Sequence, residues 1–191
     1  MNAAAIDIGS NSVRLLVIDE DLNELHRETN VTGLARGVDA GGLLSDTAVA
    51  ETLDVISRYA GVIEYHGVAR LGAVATSASR DAANGTEVMQ RIAEALGTEP
   101  AIIDGHEEAS LAFAGARSHL PGSHDRIVID IGGGSTEIIE GVDEVAWAHS
   151  YDIGSVRITD RHLAAKPASP EVVAEAEEDA RAVFSDPAVP Q

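Results

Sequence analysis

One short pattern occurs twice in this sequence, and it constrains the fold more than any other feature. Ala5-Ile6-Asp7-Ile8-Gly9-Ser10-Asn11-Ser12 and Val128-Ile129-Asp130-Ile131-Gly132-Gly133-Gly134-Ser135 share an apolar–Asp–Ile–Gly core. The spacing of about 120 residues is that of a domain-scale repeat rather than of a solenoid. A four-residue match is weak alone, but each copy sits at the same turn of the same three-strand pattern.

The first copy reads as three short strands joined by tight turns: Ala3–Ile8, Ser12–Asp19 and Leu25–Asn30. A glycine-rich loop follows. Ser45 then caps an amphipathic helix through about Glu64, with Val49, Leu53, Ile56, Ala60 and Ile63 at helical spacing. Leu71–Ala75 returns as a buried strand, Thr86–Leu96 is a helix closed by Gly97, Ala101–Ile103 is a strand, and Glu107–His119 is a helix ending before Pro121-Gly122. The order is βββαβαβα.

At Arg126 the meander starts again, with strands Arg126–Ile131, Thr136–Glu140 and Glu144–Ser150. Helices are expected over Ser155–Ala164 and Glu171–Phe184, joined by the loop Lys166–Pro170, with Pro170 well placed to open the second of them. A second unit of the same order would need as much chain as the first, and none remains for its later strands.

The formal net charge of -19, from 13 basic and 32 acidic residues, opposes nonspecific attraction to nucleic acid or an anionic membrane surface. Neither is an expected partner, and an anionic substrate must be captured by a local site against the global field. With no cysteine, disulfides, thiolate chemistry and cysteine-ligated zinc are excluded. The apolar run Ala3–Ile8 is interrupted by Asp7 and lacks a basic flank, so neither an export signal nor a membrane span is read there. The expected location is cytoplasmic.

A carboxylate at the end of a buried strand, followed at once by a small-residue turn, lets backbone N–H groups approach a phosphate while the carboxylate holds Mg²⁺ or a water beside it. Asp7 and Asp130 both fit that description, although an isolated Asp there is as easily a turn cap. Gly132-Gly133-Gly134-Ser135-Thr136 matches neither a dinucleotide fingerprint nor a lysine-bearing Walker loop, and it suits a phosphate-binding hairpin. Gly9, Ser10, Asn11 and Ser12 form the corresponding turn. Glu107 and Glu108 open one helix about 100° apart, so only one can face a given site. Acidic residues at a helix start also suit the macrodipole with no further role. Arg14 and Arg80 are candidates for planar, multidentate phosphate contacts, against a default of surface ion pairs. Glu137 alternates with an apolar Ile138 expected to be buried, which would turn Glu137 toward an open cleft.

Together, Ala5–Val17, Ala75–Ala82, Ile103–Phe113, Val128–Ile139 and Asp152–Arg157 resemble the exopolyphosphatase/guanosine pentaphosphate phosphohydrolase family of the actin–sugar kinase–Hsp70 superfamily. The matches keep the family's order and approximate spacing over about residues 3–165. The resemblance implies an α/β fold: a complete ribonuclease-H-like domain over 1–125, an incomplete second copy over 126–191, and an active site in a cleft between them. It implies Mg²⁺-dependent removal of the terminal phosphate of inorganic polyphosphate, with guanosine pentaphosphate as the alternative substrate. Glu108 would activate the water, Glu137 would help position it, and Asp7 and Asp130 would organise the metal. Arg14 and Arg80 would clamp the phosphoryl group, and Gly9–Ser12 and Gly132–Thr136 would hold adjacent phosphates.

Ser110, Ser79 and His106 depart from the family's usual residues, which bears on substrate preference more than on the reaction. Family members also continue well beyond the length of this chain. The competing readings are a noncatalytic phosphate- or nucleotide-binding fragment and, less favoured, a sugar-kinase or actin-like ATPase. The assembly allowed for is a homodimer.

Overall fold

The computed structural model describes residues 1–120, 122, 124–163 and 167–185. Two compact units divide the chain, Met1–Ile103 and Asp104–Gln191.

The first unit is built on strands β1 (Ala3–Ile8), β2 (Ser12–Ile18) and β3 (Glu24–Val31), which form the expected antiparallel meander. Helices α1 (Val38–Gly41) and α2 (Asp46–Tyr65) follow, then β4 (Arg70–Ala75), α3 (Ser77–Asp81), α4 (Gly85–Leu96) and β5 (Ala101–Ile102). Strands β4 and β5 join in parallel, giving the order β3-β2-β1-β4-β5. That is the ribonuclease-H-like arrangement expected from the strand and helix sequence. Alternate residues of β1 and β2, Ala4, Ile6, Ile8, Val13, Leu15 and Val17, pack on one face against Val49, Ile56 and Tyr59 of α2 and Val88, Met89 and Ile92 of α4. The Tyr59 hydroxyl donates to the Val13 carbonyl at 3.0 Å, so the helix is tied to the sheet by a buried polar contact as well as by apolar area. Burial raises the Tyr59 pKa.

The second unit opens with α5 (Gly105–His119), followed by β6 (Arg126–Ile131), β7 (Thr136–Gly141) and β8 (Val145–Tyr151), then α6 (Ser155–His162) and α7 (Pro170–Phe184). Its three strands form a separate antiparallel sheet in the order β6-β7-β8. The boundary therefore falls after Ile103 and not after residue 125. The reason is that Ala109 and Phe113 of α5 pack on Ile139 of β7, flanked by Val128 and Ala148, so the helix buries its apolar face on the second sheet.

Other differences are local. The helices α1 and α3 have only four and five residues, below the length at which apolar periodicity shows. The expected helix end at Ala164 lies outside the described residues, as do Lys166 and Pro121. Among the described residues no helix is long and apolar enough to cross a membrane.

Candidate functional site

The two repeated turns have the same geometry. The Gly9 N–H donates to the Ser12 carbonyl at 3.0 Å, and the Gly132 N–H donates to the Ser135 carbonyl at 2.9 Å. A Cβ built on Gly9 or Gly132 would sit 2.9 Å or 3.0 Å from that same carbonyl oxygen, so both turns are tight against any side chain at the glycine. The aspartate is in each case two residues before it, near the end of β1 or β6.

The carbonyls of each turn are held from one side by the chain that follows the third strand. In the first unit the Asn11 carbonyl accepts from the Thr32 and Gly33 N–H groups and the Ser10 carbonyl from Ala35. In the second, the N–H groups of Ser155, Val156 and Arg157, the first turn of α6, donate to the carbonyls of Gly132 and Gly133. Arg157 Nε adds a bond to the Gly134 carbonyl at 2.9 Å. In a trans peptide the N–H points opposite to the preceding carbonyl. The N–H groups of Asn11 and Ser12, and those of Gly133, Gly134 and Ser135, therefore face away from these anchors. Successive N–H groups pointing one way beside a small-residue turn make an anion-binding concavity.

The side chains of these turns behave differently from the backbone. Ser10 is buried, its hydroxyl 2.8 Å from Ser77 Oγ and accepting from the Ala78 N–H, which fastens the turn to α3. Thr136 is buried and donates to the Ile153 carbonyl at 2.6 Å, and Ser135 is buried as well. The Ser10 and Thr136 hydroxyls thus help to set the shape of the turns.

The carboxylates and arginines sit on cross-strand rows. Asp7 lies opposite Arg14, and Arg14 opposite Thr29; Asp130 lies opposite Glu137, and Glu137 opposite Ser150. Directly opposite residues share a face, so each row presents three side chains together. Arg14 Nη1 lies 3.4 Å from Asp7 Oδ2 with both groups substantially exposed, an ion pair of little energetic weight that opens readily. Arg80 is partly buried, donates to the Ile103 carbonyl at 2.8 Å and approaches Asp81 at 4.0 Å. Its guanidinium is thus anchored at the root of the first unit's β5 end.

In the second row Glu137 is 1% exposed, whereas Ile138 is only half-buried. This reverses the burial expected from their alternation. Ser150 Oγ donates to Glu137 Oε1 at 2.7 Å, one of the contacts that make a buried carboxylate tolerable. On α5, Asp104 caps the helix through the Glu107 N–H, Glu107 is exposed, and Glu108 is half-buried with its Oε2 shut off from solvent. The two adjacent glutamates do face different surroundings. Ser79, one of the departures from the family pattern, is buried, and its hydroxyl has no hydrogen-bond partner among the described residues.

Sequence reasoning did not single out Ser77, Ser150 or Arg157. Ser77 and Arg157 lie in matched segments, whereas Ser150 carries no local signal, because strand pairing brings it to Glu137.

Comparison with known proteins follows the same outline. The model of the Ppx/GppA phosphatase family matches residues 13–190. The chain is 41% identical over 177 residues to a protein named Exopolyphosphatase 2 from Mycobacterium tuberculosis, covering 86% of this chain and 56% of that one. The crystal structure of an exopolyphosphatase-like protein superimposes with a TM-score of 0.90 at 37% identity, over 97% of this chain and 60% of that one. An exopolyphosphatase from Cytophaga hutchinsonii gives 0.88 at 29% identity, over 97% and 61%. The chain thus spans little more than half the length of the relatives it matches.

Proposed function

Because the chain belongs to the Ppx/GppA phosphatase family, we propose that it takes part in hydrolysis of the terminal phosphoanhydride of inorganic polyphosphate, releasing orthophosphate, with guanosine pentaphosphate as the alternative substrate. The observation that carries this reading is the pair of matched turns, each aiming backbone N–H groups away from its anchors beside a strand-end carboxylate. In a protein of net charge -19, such oriented donors offer a polyanion a local site that the overall field does not.

In this reading the N–H groups of Asn11 and Ser12 and of Gly133, Gly134 and Ser135 hold phosphate oxygens. Glu108 accepts a proton from water, and Glu137 orients that water. The water oxygen forms a bond to the terminal phosphorus as the bridging P–O bond breaks. The proton passes to Glu108 and the shortened polyphosphate leaves with the bridging oxygen. Arg14, opening from its exposed pair with Asp7, and Arg80, anchored at the Ile103 carbonyl, answer the charge on the transferred group.

Mg²⁺ takes hard oxygen ligands and is commonly held by one or two carboxylates together with substrate phosphates. The donor set fits that use. Asp130 and Glu137 lie opposite one another on adjacent strands, and like charges so placed are unfavourable without a counter-ion. Asp7 is already answered by Arg14. Asp130 in the second unit, or Asp7 in the first, would hold such a cation, which when bound would neutralise charge on the phosphate oxygens.

Phosphate release from short and long polyphosphate and from guanosine pentaphosphate, measured with and without Mg²⁺, tests the proposal. Release that needs Mg²⁺ and falls on the order of 10²- to 10⁴-fold in Glu108→Gln is expected. Equal release by both proteins, or none from either, overturns it. A second reading, phosphate binding without turnover, needs only the backbone geometry of the two matched turns. Polyphosphate binding by both proteins with no release would select it.

A further inference from the structure

Glu137 has a fixed neighbour on the next strand whose own position is limited by a helix start. Ser150, opposite it on β8, is half-buried and donates to Oε1 at 2.7 Å. Gly105, the first residue of α5, lies against the same serine. A Cβ at position 105 would come within 2.5 Å of Ser150 Cβ and 2.8 Å of Ser150 Oγ. Any side chain there must push β8 or the serine away.

The serine is therefore held between two parts of the candidate site. On one side is the buried carboxylate of Glu137, and on the other is the first turn of α5, which carries Glu108 three residues further on. A glutamate side chain has three rotatable torsions, and a buried carboxylate with a short bond from a fixed hydroxyl loses most of that freedom. Asp130 occupies the other flank of Glu137 on β6, where a like charge acts against a close approach. The bond from Ser150 thus acts in the direction that holds the Glu137 carboxylate toward β8.

We propose that Ser150 is a positioning residue that sets the orientation of the Glu137 carboxylate, and that Gly105 is the spacer that lets α5 approach without displacing it. This rests on the phosphoanhydride hydrolase reading, in which Glu137 orients the attacking water. Neither Ser150 nor Gly105 belongs to the turn Gly132–Thr136, so the proposal separates turnover from substrate capture.

The test compares Ser150→Ala, Ser150→Thr and Gly105→Ala with the unmodified chain. Three quantities are measured: kcat and KM for short polyphosphate with Mg²⁺, thermal unfolding, and the crystallographic position of the Glu137 carboxylate. In folded Ser150→Ala, kcat falls on the order of 10- to 100-fold, as for a misplaced reacting group, while KM stays within about twofold because the N–H cradle is untouched. Ser150→Thr, which keeps the hydroxyl, recovers most of the loss. Gly105→Ala lowers kcat in the same way without removing the hydroxyl, and in Ser150→Ala the carboxylate leaves its place beside β8.

Unmodified kcat in Ser150→Ala, or a Glu137 carboxylate that does not move, overturns the proposal. If the unmodified chain releases no phosphate, the hydrolase reading fails instead, and the position of Glu137 in Ser150→Ala by itself decides whether Ser150 sets it.

Discussion

In the first unit, Ala4, Ile6 and Ile8 of β1 are at most 7% exposed beneath α2 and α4, while Ile127, Ile129 and Ile131, their counterparts on β6, are 71%, 60% and 69% exposed. The other face shows the reverse. Asp7 and Arg14 stand on the side of the first sheet away from that core, whereas the row of Asp130, Glu137 and Ser150 lies on the side of the second sheet that α5 covers. The same hairpin is thus used twice with opposite faces covered. What differs is the charge that the covered or open row can carry. The open row pairs Asp7 with a cation, and the covered row places Glu137 opposite Asp130 and quiets it with a hydroxyl from Ser150.

Exchanging the central residues of the rows gives the sharpest break of this comparison. Glu137→Arg forces a longer, charged side chain into a site that is 1% exposed, and it is expected to cost more than about 3 kcal/mol, read as loss of the second unit's unfolding transition. A loss under about 1 kcal/mol would show that the two rows tolerate the same chemistry.

The apolar faces give the next largest effect. Ile6→Ala is expected to destabilise by about 2–5 kcal/mol and Ile129→Ala by no more than about 0.5 kcal/mol, measured as shifts in urea midpoint. Similar losses at the two sites would mean that the β6 face is covered in solution.

The tie between α6 and α7 gives a smaller, pH-dependent effect. Asp179 accepts from His162 at 3.0 Å and from Arg161 at 3.3 Å, and chiefly the His162 bond holds its carboxyl below the usual value of 3.8. A carboxyl with a lowered folded-state pKa contributes stability that is full above the unfolded value and is lost as pH falls through the folded one. The stability of the second unit is therefore expected to fall below about pH 4, with that part of the fall absent in Asp179→Asn. An unchanged acid profile in Asp179→Asn would remove Asp179 from the account.

The smallest effect belongs to the open row. Arg14→Glu turns it into a likeness of the covered one, and because Arg14 is largely and Asp7 partly in solvent, the cost is expected to stay below about 1 kcal/mol in thermal unfolding. A much larger loss would mean that the Asp7–Arg14 pair carries stability that its exposure does not suggest.

Much of the secondary structure was legible without coordinates. The meander strands, α2, α4 and α7 lie within one or two residues of their expected limits, because period, the Ser45 N-cap, Pro170 at a helix start, and glycine stops act over a few residues. The short α1 and α3 were not legible, since four or five residues give no periodic signal and such segments depend on what they pack against. At the site, the aspartates, glycines and Glu108 could be picked out by motif. That Ser10 and Thr136 spend their hydroxyls on Ser77, Ala78 and Ile153 could not, because those partners arrive from distant chain.

By itself the sequence determined that there are two like hairpins, each with a carboxylate at its turn, because alternation and turn chemistry are properties of neighbouring residues. It did not determine which side of each hairpin is buried. β6 offers isoleucines on one face and Val128 and Asp130 on the other, and alternation marks two faces without saying which one a helix will cover. Tertiary structure decided that, by docking α2 and α4 on the isoleucine side of the first sheet and α5 on the aspartate side of the second. The choice depends on contacts between segments far apart in the chain, and it is what gave Arg14 to solvent and Glu137 to the interior.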